Sequence, residues 1–338
     1  MARIGLIDVD GHNYPNLPLM KLSAWHKKQG DTVEWYDALL HSMEEPFDKV
    51  YMAKVFSFTK DYPYFVNAKE VIKGGTGYCI SLANGKEVFD KSKNIELPPE
   101  IEHIYPDYSL YGITDTAYGF LSRGCPRGCS FCHVEAKEGR RTYKVADLSE
   151  FWDGQKNIVL MDANITACRE WKDLFQQLID SKAKIDINQG MDIRLMTDEK
   201  AEMIKQMDVA NVHFAWDRYA DKDWIVRKLT RFKEITNFDY RQMTVYMLTN
   251  FDTTHEQDLE RVYTLRDLGY NPYVMIYNKD DFVICDKNGK PTKRKPTEEL
   301  LKKYTMQQIE QFDVCWAVQR WVNNRIIFRS CERFEDYK

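Results

Sequence analysis

The chain has 338 residues with 43% hydrophobic content, enough for two domains with real cores. A formal net charge of −4 excludes a global basic field, so nucleic acid is not an expected partner. No run of about 18 apolar residues occurs, which excludes a helical membrane span, and the N-terminus lacks a signal-peptide core with a cleavage site. A cytoplasmic protein is expected, in which eight cysteines stay reduced or bind metal rather than form a disulfide framework.

Residues 4–10 read as a short buried strand ending in acid and glycine. After the loop 11–16, residues 17–30 show helical spacing (Leu19, Leu22, Trp25, His26) and stop at Gly30. Further strands are expected at 32–36, 49–56 and 70–73. Strands alternating with a helix make residues 1–96 a small Rossmann-like parallel-sheet domain. Functional loops in such sheets lie at the carboxyl ends of strands, where His12 and the turn 74–77 fall. Residues 97–116, with Pro98-Pro99 and Tyr105-Pro106, form a proline-punctuated aromatic linker whose tyrosines either pack or line a cleft.

A new sheet begins at 117–122, and a loop carrying three cysteines leaves its carboxyl end. Cys125, Cys129 and Cys132 are spaced C-x3-C-x2-C, and Gly124, Pro126 and Gly128 shape the bend. Three thiolates aimed at one centre are the soft donors that iron–sulfur clusters and zinc prefer. A nearby fourth ligand is missing, because His133 directly follows Cys132 and is poorly placed to close the same ring. A three-thiolate site keeps one position open for chemistry.

Strands follow at 157–162, 185–190, 211–217, 244–250 and 271–278, and helices at 170–180, 197–207 and 254–268. Thr197 is a plausible N-cap without a capping box, since Lys200 stands three residues on. Six steps of about 30 residues predict a partial (β/α)6 barrel over 117–279, a fold that places catalytic groups at the carboxyl ends of its strands. The polar groups at those ends are Asp162, Asn164, Gln189, Asp192, Arg194, Trp216, Asp217, Thr249, Asn250, Tyr277 and Asn278. Residues 280–338 form a helical C-terminal extension. It holds the turn Asp286-Lys287-Asn288-Gly289, the basic run Lys293-Arg294-Lys295 (a solvated loop), and helices at 297–304 and 306–324. Phe312, Cys315, Trp316, Val318 and Trp321 would brace the barrel.

The cysteine spacing, with Phe131 just before the last cysteine, resembles the signature of the radical S-adenosylmethionine (radical SAM) enzymes. The resemblance extends from about residue 117 to 278. It implies a 4Fe–4S cluster on Cys125, Cys129 and Cys132, whose fourth iron binds the amino and carboxylate groups of S-adenosylmethionine. One electron, from a reductant protein such as flavodoxin or ferredoxin, would then yield a 5′-deoxyadenosyl radical that abstracts hydrogen from a substrate. Phe131 would pack near the adenine. Asp162 and Asn164 lie where a Gly-Gly-Glu-like segment meets the methionine ammonium, although this sequence departs from it. Arg194 would take the methionine carboxylate, and Gln189 or Asp217 the ribose.

The first domain resembles a cobalamin-binding domain. Asp10-Gly11-His12 matches Asp-x-His, Ser57 falls at a Ser-x-Leu position, and Gly74-Gly75 matches a glycine pair. Pro15 stands where that motif has glycine, Thr59 replaces the leucine, and 14 residues separate Thr59 from Gly74 where the full domain has nearly twice that. A domain that keeps the fold and not the cofactor is the reading these departures favour; with cobalamin, methylation would be the outcome. Cys79, Cys168, Cys285, Cys315 and Cys331 are isolated, so no auxiliary cluster and no methylthio transfer are expected. Two readings stay open beside the enzyme: a non-catalytic iron–sulfur electron-transfer protein, and a zinc knuckle.

Overall fold

The computed structural model describes residues 1–83, 86–286 and 290–337. It is built around two parallel sheets. The first has strand order β2-β1-β3-β4, with β1 Arg3–Asp8, β2 Thr32–Trp35, β3 Lys49–Ala53 and β4 Val71–Gly74. The helix Leu17–Lys28 starts at Asn16, whose side chain accepts from the Leu19 N–H, and buries Leu19, Met20 and Leu22. Strand β3 ends three residues earlier than its apolar run suggests. The Asp10 carboxylate takes the Val55 N–H at 2.5 Å and the Phe56 N–H at 3.4 Å, which draws that backbone away from the ladder. A hairpin of β5 (Ile80–Ala83) and β6 (Lys86–Phe89) follows, which the alternation of residue types had not revealed.

The second sheet holds six strands: β7 Thr116–Gly119, β10 Asn157–Leu160, β11 Lys184–Met191, β12 Asp208–Ala215, β13 Met243–Thr249 and β14 Asn271–Ile276. Each pairs in parallel with the next, so spatial order follows chain order. Between β7 and β10, a two-residue strand β8 (Ser122–Arg123) pairs antiparallel with β9 (Tyr143–Lys144). Alternation sorts the six strands into two faces. Ala117, Ile158, Leu160, Ile185, Ile187, Val212, Phe214, Val245, Met247 and Val274 are buried in the main core. They pack with Leu174, Phe175 and Leu178 of the helix Trp171–Ser181 and with Ile225, Leu229 and Phe232 of Lys222–Thr236. A fully buried Leu or Phe contributes about 1.5–3 kcal/mol, so this layer carries most of the driving force. The opposite face carries Tyr118, Val159, Asp186, Asn211, His213, Tyr246 and Tyr273 by the same register.

Both sheet edges are capped by a side chain that imitates a strand. On β7 the Tyr108 hydroxyl accepts the Tyr118 N–H at 3.0 Å and donates to the Phe151 carbonyl at 2.7 Å. On β14 the Asn323 amide accepts the Val274 N–H at 2.8 Å and donates to the Val274 carbonyl at 2.9 Å. Asn323 ends the helix Met306–Asn323, which buries Phe312, Cys315, Val318 and Trp321. The C-terminal extension is therefore a brace, as its apolar face suggests. It also contains a hairpin (β15 Val283–Cys285, β16 Pro291–Arg294) and a helix Arg325–Ser330 that the sequence reading lacks. Of the expected turn at 286–289, residues 287–289 lie outside the described residues. The linker tyrosines serve packing: Tyr111 donates to Asp8 at 2.7 Å, and the Trp35 indole N–H donates to the Leu110 carbonyl at 3.2 Å, tying the two sheets together.

Replacing Tyr108 by Phe leaves the Tyr118 N–H and the Phe151 carbonyl without their partner in a buried setting. We expect a loss of about 1–3 kcal/mol in urea unfolding with an unchanged m-value. A change within about 0.3 kcal/mol would mean that water replaces the hydroxyl.

Candidate functional site

The site begins where β7 stops. Asp162, fully buried two residues after β10, accepts the Leu121 N–H at 3.1 Å, the Ser122 N–H at 2.5 Å and the Ser122 hydroxyl at 2.6 Å. This carboxylate ends the strand and sets the direction in which the chain leaves the sheet. The β8–β9 ladder then closes a loop over residues 124–142. Gly124 has φ +83°, and a Cβ there would lie 2.0 Å from the Arg141 carbonyl oxygen, so only glycine fits. The Gly124 N–H donates to Glu138 at 2.9 Å, Arg123 pairs with the same carboxylate at 3.0 Å, and Thr142 donates to the Gly124 carbonyl at 3.0 Å. Cys132 N–H donates to the Cys129 carbonyl at 3.0 Å, closing a turn between the last two cysteines.

Cys125 and Cys129 are half-buried and Cys132 is exposed. Burial pushes the Cys129 thiol up first; Cys132, Asp217 and Cys125 push it further, and Arg194 pulls it back. The three sulfurs and the ends of β11 and β12 thus lie within electrostatic reach of one another. Among the described residues, no set of three His, Cys, Asp or Glu side chains is gathered tightly enough for a single metal ion. Thiolates that bind separate corners of a cluster stand further apart than ligands of one ion.

The neighbouring residues take more varied positions than strand placement suggested. Asn164 is buried; its amide N–H donates to the Cys125 sulfur at 3.5 Å, while its oxygen accepts from Thr166 at 2.7 Å and from the Asp192 N–H at 3.3 Å. Arg194 is spoken for by Asp192 at 2.8 Å and Asp221 at 2.6 Å. Asp192 also receives Arg127 at 2.5 Å. Arg127 stands between the first two cysteines and ties their loop to the end of β11. The only signal for it in the sequence was a cation inside the cysteine loop. Phe131 meets Phe251 edge-on at 5.4 Å between centroids, and Phe251 meets Tyr277 at 4.8 Å. Gln189 is exposed, in a stretch of β11 whose register shifts between Ile187 and Met191. Asp217 accepts the Leu248 N–H at 3.1 Å. Arg261, fully buried, donates to the carbonyls of Trp216 at 2.6 Å and Leu248 at 2.9 Å, and pairs with Asp258 at 2.5 Å. It holds the ends of β12 and β13 beside Asp217.

In the first domain His12 stacks on Trp35 with centroids 4.1 Å apart, and Asp10 is engaged by Val55, Phe56 and Thr59. Gly75 has φ +100°, and a Cβ there would lie 2.3 Å from the Lys54 carbonyl oxygen. Gly75 thus has a packing reason, while a Cβ at Gly74 would meet nothing within 4 Å.

No protein-family model matches the chain, and no curated protein matches its sequence. Among solved structures, Streptococcus suis SuiB bound to precursor peptide SuiA is similar over 61% of this chain and 46% of that chain, at 13% identity and a TM-score of 0.38. A second structure of Streptococcus suis SuiB is similar over 49% of this chain and 37% of that chain, at 13% identity and a TM-score of 0.31. The chain thus spans less than half the length of the SuiB chains it matches.

Burial pushes the Asp162 carboxyl up to about 6, against the pull of its three donors. Its unfolded value is about 4, so between these values the folded chain binds the extra proton. The contribution of Asp162 to stability is therefore full below about pH 4 and declines as pH rises through about 6, by roughly 3 kcal/mol at most. Urea midpoints of the wild type minus those of Asp162→Asn should fall across that window. A difference that stays flat or rises would show that the donors outweigh burial.

Proposed function

We propose that this chain is a radical S-adenosylmethionine enzyme. One observation carries the reading: Cys125, Cys129 and Cys132 sit on a fixed loop at the carboxyl end of the first of six sequential parallel strands. We read that sheet as the partial barrel and the three cysteines as ligands of a 4Fe–4S cluster. The residues present suit such a group. The donors are soft thiolates, the loop glycine admits no other residue, and a buried amide donates to one sulfur. When bound, the cluster and S-adenosylmethionine supply reductive cleavage of the sulfonium to a 5′-deoxyadenosyl radical.

The chain's own residues have supporting tasks. Asn164, whose N–H faces the Cys125 sulfur, tunes the cluster rather than receiving the methionine ammonium. Phe131, with Phe251 and Tyr277, offers an aromatic wall for adenine. Asp217 is the better acceptor for ribose hydroxyls, because its charge reaches Cys129 while Gln189 is exposed. Arg194, oriented by Asp192 and Asp221, is a directed cation for a carboxylate only if one of those partners yields. The electron would come from a low-potential protein donor of the ferredoxin or flavodoxin class. Cobalamin has no place in this reading: His12 is packed on Trp35, and Gly75 answers to a backbone contact.

Anaerobic reconstitution with iron and sulfide should give about four irons per chain and a broad visible absorbance, both lost in Cys129→Ala. With dithionite and S-adenosylmethionine, the wild type should release 5′-deoxyadenosine and methionine. A stable cluster that never yields 5′-deoxyadenosine would make the protein an electron carrier, and stoichiometric zinc without iron would replace the proposal outright.

A further inference from the structure

The inward face of the six-stranded sheet carries a second constellation, below the cysteine loop. Asp186 on β11 faces His213 on β12, with Oδ1 and Nδ1 3.6 Å apart. His213 does not complete that bond, since its Nδ1 lies 2.8 Å from the Ile187 carbonyl and is held there as the N–H donor. Asp186 Oδ1 is therefore a covered atom without a hydrogen-bond partner among the described residues, on a side chain that is 33% exposed, and Asn211 Oδ1 on the next strand is likewise unpartnered. Their register places Asp186 opposite Asn211, so two unsatisfied acceptors share one face. Such atoms cost about 1–3 kcal/mol each when left dry.

Aromatic rings wall the same space. Tyr246 stacks on His213 with centroids 5.0 Å apart at 13°, and its hydroxyl donates to the Asn188 carbonyl at 2.8 Å. Tyr273 meets Tyr246 edge-on at 5.6 Å. Tyr14 reaches across from the first domain and meets Tyr118 at 5.4 Å. The charge of Asp186 is felt by Tyr14, Tyr118 and Tyr246 alike. Arg325 acts on His213 from a distance and is turned to the Asn271 amide, whose oxygen, so oriented, accepts from Nε at 3.1 Å and Nη2 at 3.2 Å.

Two orphan acceptors, one of them a carboxylate, inside a ring of tyrosines match a group rich in N–H donors and positive charge. We propose that this face binds the cationic end of the substrate, an alkylammonium or alkylguanidinium, with Asp186 and Asn211 as its acceptors. The inference rests on the radical-enzyme reading for the word substrate, and not for the site. Along β12 the step from His213 to the strand end at Ala215 is about 7 Å, and Asp217 beside Cys129 lies beyond it. A cation anchored at Asp186 would therefore present carbons several bonds away to the cysteine end of the sheet.

The test uses the full chain without cluster or S-adenosylmethionine, labelled with nitrogen-15 histidine and titrated with butylammonium, methylguanidinium, butanol and butyrate. The two cations should shift the His213 ring signals saturably, and butanol and butyrate should not. Asp186→Asn, whose lost oxygen charge has no partner in the fold, should weaken cation binding about tenfold or more, and Asn211→Asp should tighten it. Equal responses to butanol, absence of a saturable cation response, or unchanged affinity in Asp186→Asn would each overturn the proposal. If cations bind here and no 5′-deoxyadenosine forms, the radical reading fails and this site stands. If 5′-deoxyadenosine forms and cations bind no better than butanol, this site fails alone.

Discussion

A single buried carboxylate governs the geometry of the cysteine end. The strand β7 would run on through Leu121 and Ser122 by sequence alone, since both residues suit a ladder. Asp162 intercepts two consecutive N–H groups and the Ser122 hydroxyl, so those groups are satisfied by a side chain instead of a neighbouring strand. The chain must then turn, and β8 finds a new partner in β9 across the cysteine loop. The aim of the thiols is thus inherited from β10, one βα step downstream, and not from the loop itself. Arg261 does the same from the other side by gripping the carbonyls at the ends of β12 and β13. Both groups are buried in low dielectric, where such bonds are hard to replace.

The first domain also packs directly against the second sheet. Its helix Leu17–Lys28 sends Leu17 and Met20 into the core of the second sheet, and Lys137 beside the cysteines donates to Thr76 at 2.7 Å. The loop after β1 delivers Tyr14 to Tyr118 of the other sheet. The first domain thus furnishes part of the wall of its neighbour.

Much of this was legible because the parallel strands read as short apolar runs. Apolar runs bounded by Gly, Asn and Asp located all ten parallel strands to within a few residues, since a buried face tolerates no slip. Thr197 capped its helix as its type demands, accepting from Lys200 N–H. What escaped notice has physical reasons. The helix Lys222–Thr236 hides its apolar residues among Lys and Arg, whose long stems cover the same face. The short pairs β5–β6 and β8–β9 are fixed by closure of the chain and not by composition. Arg194 looked like an open cation because sequence shows charge and not partners; Asp192 and Asp221 are two and 27 residues away. Sequence does not show that Asn164 reaches the Cys125 sulfur or that Arg127 reaches out of the cysteine loop to Asp192.

The two faces of the second sheet make the deeper argument. A parallel sheet in an α/β protein is ordinarily apolar on both sides, because helices cover both. Here one face obeys and the other carries Asp186, Asn211 and His213 between tyrosines. Burial pushes the Asp186 carboxyl up and the His213 imidazole down, so the fold itself supplies little to offset a charge on either. A fold selected for stability alone would replace these residues with Val or Leu and gain from the exchange. Polar groups held at this cost, in line with the cysteine loop, are most simply understood as half of an interaction whose other half arrives with a ligand.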